Sequence, residues 1–176
     1  MKSPPEFPAD FCVYYHRVME MKRNWKTYLF WIALAEGVGG LSGFLSREGS
    51  QWYQEFAVKP MFSPPGWVFP VVWGILFALM GIGAARVSLT PPSAMRSLGL
   101  NLWTVQLAVN FLWSLIFFNL RAYGFALVWL GLLWVLILWM TLAFRQTDRI
   151  AAWLQVPYIL WVSFAAYLNW GTWVLN

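Results

Sequence analysis

Four helical repeats carry the side chains with which this chain can do chemistry. Gln106, Asn110, Trp113 and Phe117 recur at i, i+4, i+7 and i+11, so a helix presents them on one face. Trp73, Phe77, Met80 and Ala84 repeat that spacing, and Pro157, Trp161, Ala165, Leu168 and Asn169 form a third face. Glu36, Gly40 and Gly43 share a side of a fourth helix. Indole and phenyl rings stack on flat ligands, and side-chain amides bond the polar edges of such ligands. A lone Trp is as readily an interface anchor, and a lone Asn or Gln a bond to the next helix. Rings and amides that face the same way in three helices instead predict a cavity for a flat, amphipathic molecule.

Catalytic and metal-binding sets are not visible in the same residues. The one histidine, His16, and the one cysteine, Cys12, both fall in the first sixteen residues, which excludes a His/Cys metal site in the body of the chain and a disulfide framework within it. No nucleophile stands beside a base at usable spacing, so neither a metal nor a cofactor is expected to be required. Glu36 is the only acidic residue well inside an apolar stretch. Two roles are open to it: an ionised partner for a ligand or proton, or a neutral hydrogen-bond donor.

The elements that must position these faces follow from composition. Hydrophobic residues make up 60% of the 176 and charged ones 11%, against about 25% charged in a soluble domain, so the partner is a lipid bilayer. Five stretches are long and apolar enough to cross it: 27–45, 67–87, 98–120, 123–144 and 150–175. The expected fold is an all-α membrane protein, a bundle of five transmembrane helices over 27–176. It is preceded by a disordered or interfacial tail, 1–26, and interrupted by a long loop, 46–66. The fourth span is apolar around nearly its whole circumference and is expected at the periphery, facing lipid. Pro157 is expected to kink the fifth span, Gly39 and Gly43 to serve close helix packing, and Trp25, Trp52, Trp103, Trp153, Trp170 and Trp173 to anchor span ends. The net charge of +5 is assigned to orientation, with no nucleic-acid partner. Lys2, Arg17, Lys22, Arg23, Lys26, Arg86, Arg96, Arg145 and Arg149 fall on one side, and Arg47, Lys59 and Arg121 on the other, which places the N-terminus in the cytoplasm.

Helical rise puts Trp73, Trp113 and Asn169 roughly 9 Å, and Asn110 and Glu36 roughly 13 Å, from the outer ends of their spans. They meet in one layer beneath the long loop. That loop, "WYQEFAVKPMFSPPGW", sets the rings of Trp52, Phe62 and Trp67 beside the breakers Pro64 and Pro65. Stiff backbone and large rings together predict a lid over the cavity. Ligand carboxylates would find donors in the amides of Gln106, Asn110 and Asn169.

Three ordered motifs, "WYQEFAVKPMFSPPGWVFPVVWGILFALMG", "QLAVNFLWSLIFF" and "PYILWVSFAAYLNW", closely resemble the TspO/MBR family of tryptophan-rich sensory and translocator proteins, over about Gly37 to Trp170. The resemblance implies a five-helix bundle, commonly a homodimer, that binds porphyrins, haem-like tetrapyrroles, sterols and aromatic drugs beneath its first loop. By motif, its pocket residues would be Trp73, Phe77, Asn110, Trp113, Trp161, Ala165, Leu168 and Asn169. Two departures bear on the ligand. Phe62 stands where animal members have Trp before the Pro-Pro pair. The run after Leu168 and Asn169 is "WGTWVLN", which lacks the Tyr and Arg of the cholesterol motif. A porphyrin or haem-like tetrapyrrole is therefore preferred over cholesterol. Three functions stay open: a membrane binding or sensor protein with a part in transport or regulation, a porphyrin-degrading photo-oxidative enzyme using Trp redox chemistry, and a scaffold for a membrane complex.

Overall fold

The computed structural model describes residues 9–176, with side chains from Asn24 onward. Seven helices follow in order: α1 (Ala9–Leu45), α2 (Arg47–Phe56), α3 (Val68–Ser88), α4 (Ala94–Ser114), α5 (Tyr123–Thr147), α6 (Arg149–Trp153) and α7 (Val156–Leu175). A π-helical turn, Leu115–Asn119, continues α4. Five segments are long and apolar enough to cross a bilayer: Asn24–Leu45, Val68–Ser88, Ala94–Asn119, Tyr123–Thr147 and Arg149–Leu175. The protein is an all-α integral membrane protein with five spans.

Small residues set the closest helix approach. A Cβ on Gly81 of α3 would lie 2.6 Å from the Cα of Ile32 in α1, so only glycine lets these backbones meet. Gly39 packs flat against the Phe77 ring, whereas Gly43 has open space beside it. Of the two glycines expected to pack helices, one does and the other borders a void. α5 buries Ala126, Leu130, Leu133, Ile137 and Met140, a stripe at helical spacing that packs on α4 and α7. Phe125, Val128, Leu132, Val135 and Trp139 lie exposed on its other side, where the solvent is lipid.

Four local features differ from expectation. Helix begins at Ala9 in the stretch read as a disordered or interfacial tail. After Pro8 no breaker intervenes before the first span, so the span's helix extends backward without a new nucleus. Residues 1–8, and the side chains of Cys12 and His16, lie outside the described residues. Second, the long loop contains the ten-residue α2. Third, the fifth span breaks at Leu154 and Gln155 rather than bending at Pro157, which sits in the first turn of α7. Its ring crowds the carbonyl four residues back, at Trp153, so α6 ends there and proline opens the next helix instead of kinking one. Fourth, Trp103 is no interface anchor. It is fully buried and donates through Nε1 to the Met80 carbonyl at 3.2 Å.

At the end of the bundle where α3 meets α6, Arg86 donates to both oxygens of Asp148, at 3.2 and 2.8 Å. Asp148 also caps α6 by accepting from the Ala151 N–H at 2.8 Å. Burial alone pushes this carboxyl up, but the Arg86 guanidinium and the backbone N–H outweigh it and hold Asp148 below the usual carboxylate range.

Candidate functional site

At the opposite end, α1, α3, α4 and α7 diverge around a cavity of about 470 Å³ covered by α2. A space of that size holds a drug-sized ligand. Its walls are ring faces in stacked pairs. Trp73 lies on Phe77 with centroids 5.4 Å apart and planes at 29°, and Trp113 on Phe117 at 5.3 Å and 27°. α7 supplies Trp161, Ala165 and Leu168, and α1 supplies Glu36, Gly39, Gly40 and Gly43. The missing side chains of Gly40 and Gly43 leave open space. Among the described residues no cluster of His, Cys, Asp or Glu could hold a metal ion.

Behind the wall runs a buried polar chain whose direction is forced. Gln106 Nε2 donates to the Met80 sulfur at 3.8 Å, and a thioether only accepts. Gln106 Oε1 is thus the end that accepts from Tyr158 OH, at 2.9 Å, and the phenol oxygen accepts from Asn110 Nδ2 at 2.6 Å. Asn110 is left with an Oδ1 that has no partner among the described residues, and the residue lines the cavity. Asn169 has both ends engaged: Oδ1 accepts from Trp113 Nε1 at 3.3 Å, and Nδ2 donates to the Tyr123 carbonyl at 2.8 Å. Its contribution is to fix the tilt of the Trp113 indole.

Trp73, Phe77, Asn110, Trp113, Trp161, Ala165, Leu168 and Asn169 all line the cavity, and Gln106 does not. The expectation that three amides donate to a ligand needs correction at Gln106, which lies behind the wall; Asn110 and Asn169 each spend one of their two amide N–H groups on Tyr158 and Tyr123, which leaves at most one apiece for a ligand. Trp161 Nε1 is enclosed and has no hydrogen-bond partner among the described residues, so this ring meets the cavity by its carbon surface.

The cover also differs from expectation. None of Trp52, Phe62, Pro64, Pro65 and Trp67 lines the cavity; Ser50, Gln51, Tyr53, Gln54 and Gly66 do. Phe62 is 77% and Trp67 69% exposed. For Trp52 the reason is the periodicity of α2. Its inward residue is Tyr53, buried against Phe117 at a centroid distance of 5.3 Å, so its neighbour Trp52 points elsewhere. Trp52 packs on Phe56 and under Arg121, whose Cζ sits 3.6 Å from the ring centroid, a cation–π contact. Arg121 takes a left-handed backbone, φ 54°, at the turn into α5, strain that the ring contact helps offset. Phe62 is left-handed too, φ 65°, which turns its ring outward.

Three side chains of α7 and its end tie the cover down. Thr172 Oγ1 donates to the Leu168 carbonyl at 2.9 Å, so Tyr53 OH is the donor in its 2.9 Å bond to Thr172. Burial raises the Tyr53 phenol above its ordinary pKa, more than the Thr172 bond lowers it. Tyr167 OH donates to the Met61 carbonyl at 3.0 Å, and the Asn176 amide brackets Val58, accepting from its N–H and donating to its carbonyl, each at 3.0 Å. Reading the sequence missed Tyr53, Gln54, Phe69 and Tyr158. Tyr158 was findable, since it stands three residues before Trp161 on the same helix.

Comparison with known proteins decides the lineage. The TspO/MBR family profile matches residues 31–174. The chain belongs to the TspO/MBR family. Similar relatives include protein CrtK of Rhodobacter capsulatus, 39% identical over 138 residues, covering 78% of this chain and 85% of the relative. The tryptophan-rich protein TspO of Chlorobaculum tepidum is 38% identical over 157 residues, covering 89% and 99%. The human translocator protein is 38% identical over 144 residues, covering 80% and 85%. In this TspO/MBR bundle the cavity is lined by aromatic rings, the acidic side chain of Glu36 and the amides of Asn110 and Asn169. That inventory suits binding of a flat molecule and supplies no paired nucleophile and base.

Proposed function

We propose that this TspO/MBR protein is a membrane receptor for a porphyrin or haem-like tetrapyrrole, held in the cavity beneath α2, with a sensing or transport role downstream of binding. The observation that carries the reading is the pair of stacked ring couples, Trp73 on Phe77 and Trp113 on Phe117, facing the same space as Trp161. A large planar π-system gains stacking on such faces, and an aliphatic ligand does not. The names of the relatives, translocator protein and tryptophan-rich sensory protein, accord with a sensing or transport role. The N-terminal side is proposed to be cytoplasmic, from the distribution of Lys and Arg, and the protein to function as a homodimer.

The test is a titration of the purified protein in lipid nanodiscs with free-base porphyrins and sterols, read by Trp fluorescence. Porphyrin binding should saturate, and Trp161→Leu should weaken it by about 1–3 kcal/mol, taking base–aromatic stacking as the analogue. Trp139→Leu, on the lipid face of α5, should change it far less. Equal losses at both positions would move the site elsewhere.

A further inference from the structure

The polar atoms of the cavity are unevenly distributed along its depth. Ser42 Oγ donates to the Phe111 carbonyl at 3.0 Å, which brings these points of α1 and α4 to one level. Glu36 lies nearly two turns inward of Ser42, roughly 9 Å by helical rise, and Asn110 one residue inward of Phe111. Both line the cavity. Among the described residues Glu36 takes part in no salt bridge, and the directed chain through Met80, Gln106 and Tyr158 leaves the Asn110 oxygen free. Glu36 thus marks the inner end, and the Asn110 oxygen lies roughly 7–8 Å outward of it, about midway to the mouth, against a background of rings.

Donors gather at the other end. Arg47 lines the mouth roughly 16 Å outward of Glu36, resting against the Phe44 ring at 5.7 Å. Lys59 Nζ donates to Gln54 Oε1 at 3.0 Å and to the Gln54 carbonyl at 2.7 Å. Lysine has no acceptor, so it holds the amide oxygen of Gln54 and leaves the amide nitrogen as the end that can donate to a ligand.

We propose that the cavity takes its ligand in one sense, with a cationic or N–H donor group seated inward on Glu36 and acidic groups left outward at Arg47 and Gln54. The inference deepens the ligand site proposed above and rests on that cavity being the site. Its physical basis is the cost of burying a charge without a partner: an anion driven inward would meet an acidic side chain among rings, whereas a donor there satisfies Glu36, which has no partner among the described residues. The ligand class that fits is a flat aromatic with N–H groups in its body and carboxylates along one edge. A molecule with a single hydroxyl would leave one end of the cavity unpaired.

The test uses two probes with the same flat ring system, pyrenemethylammonium and pyrenecarboxylate, titrated into the full chain in nanodiscs of zwitterionic lipid and read by energy transfer from Trp. Glu36→Gln should weaken the ammonium probe about tenfold, the size of one lost charge-assisted bond, and leave the carboxylate probe within about twofold. Arg47→Gln should show the reverse pattern, with a loss of about threefold for the carboxylate at this exposed position. Unchanged carboxylate binding in Glu36→Gln also reports that the variant is folded. Equal losses of both probes, no loss of the ammonium probe, or failure of both to bind the wild type overturns the proposal. Crossed selectivity without porphyrin binding would keep the polarity and defeat the tetrapyrrole reading instead.

Discussion

Tyr53→Phe isolates one contact of the cover. The substitution keeps the ring that packs on Phe117 at 5.3 Å and on Phe118 at 5.7 Å, and removes only the hydrogen bond to Thr172. Thr172 loses a donor, yet its own bond to the Leu168 carbonyl remains, so no buried N–H or O–H is orphaned. The net loss should be that of one ordinary hydrogen bond, about 0.5–1.5 kcal/mol. If α2 must lift for a ligand to pass, the closed state loses that amount whether the cavity is empty or filled. Opening then becomes more frequent by roughly twofold to tenfold in both cases, and association and dissociation accelerate together. Equilibrium affinity should stay nearly constant, because the bond is lost from free and bound protein alike. Stopped-flow mixing with a free-base porphyrin gives both rates, and a displacement experiment gives dissociation alone. Rates equal to wild type in a protein of unchanged secondary structure would show that α2 does not gate the cavity. A slower dissociation would contradict the direction of the effect.

Further perturbations test the wall, the helix contact and the inner end. Ala165→Thr adds volume at a wall position only 8% exposed, and should weaken porphyrin binding by about 1–3 kcal/mol. Val128→Thr, on the exposed side of α5, should leave binding unchanged, and melting curves verify that both variants fold. Gly81→Ala forces a Cβ to within 2.6 Å of Ile32 and should destabilise the α1–α3 contact by about 1–3 kcal/mol, read as a lower Tm with or without ligand. Asp148→Asn should lower the Tm at pH 7. The native carboxyl titrates below its ordinary value, so its stabilisation is present above the unfolded pKa of about 3.9 and lost as pH falls through the lower folded value. The gap between wild type and variant should therefore close in acid, and a gap that widens there would assign the Arg86 contact no role.

The walls were legible because they obey one rule. Trp73 with Phe77, Trp113 with Phe117, and Trp161 with Ala165 recur at helical spacing, and in a bilayer a bundle turns its ring-and-amide faces inward. Hydrogen-bond direction was not legible. Which end of Asn110 faces the cavity depends on a thioether twenty-six residues before Gln106, at Met80, and no local pattern encodes that partner. The cover was hidden for another reason. α2 spans ten residues, fewer than three turns, and its brief repeat sits beside the conspicuous rings of Trp52, Phe62 and Trp67. Those rings suggested a lid by size alone, whereas orientation in an amphipathic helix is decided by phase, and phase turns Tyr53 inward.

The placement of the tethers makes α7 more than one wall among four. Trp161, Ala165 and Leu168 of this helix face the cavity, and Tyr167, Thr172 and the terminal Asn176 bond Met61, Tyr53 and Val58 in the cover. Wall and cover therefore share one rigid element, joined to α6 through the break at Leu154 and Gln155 where no continuous helix resists tilting. A ligand that stacks on Trp161 therefore rests on the same helix whose far end holds α2. Tyr53→Phe cuts one of those tethers without touching the wall. Its kinetic effect thus reports the opening of α2, separately from the stacking that Trp161→Leu removes.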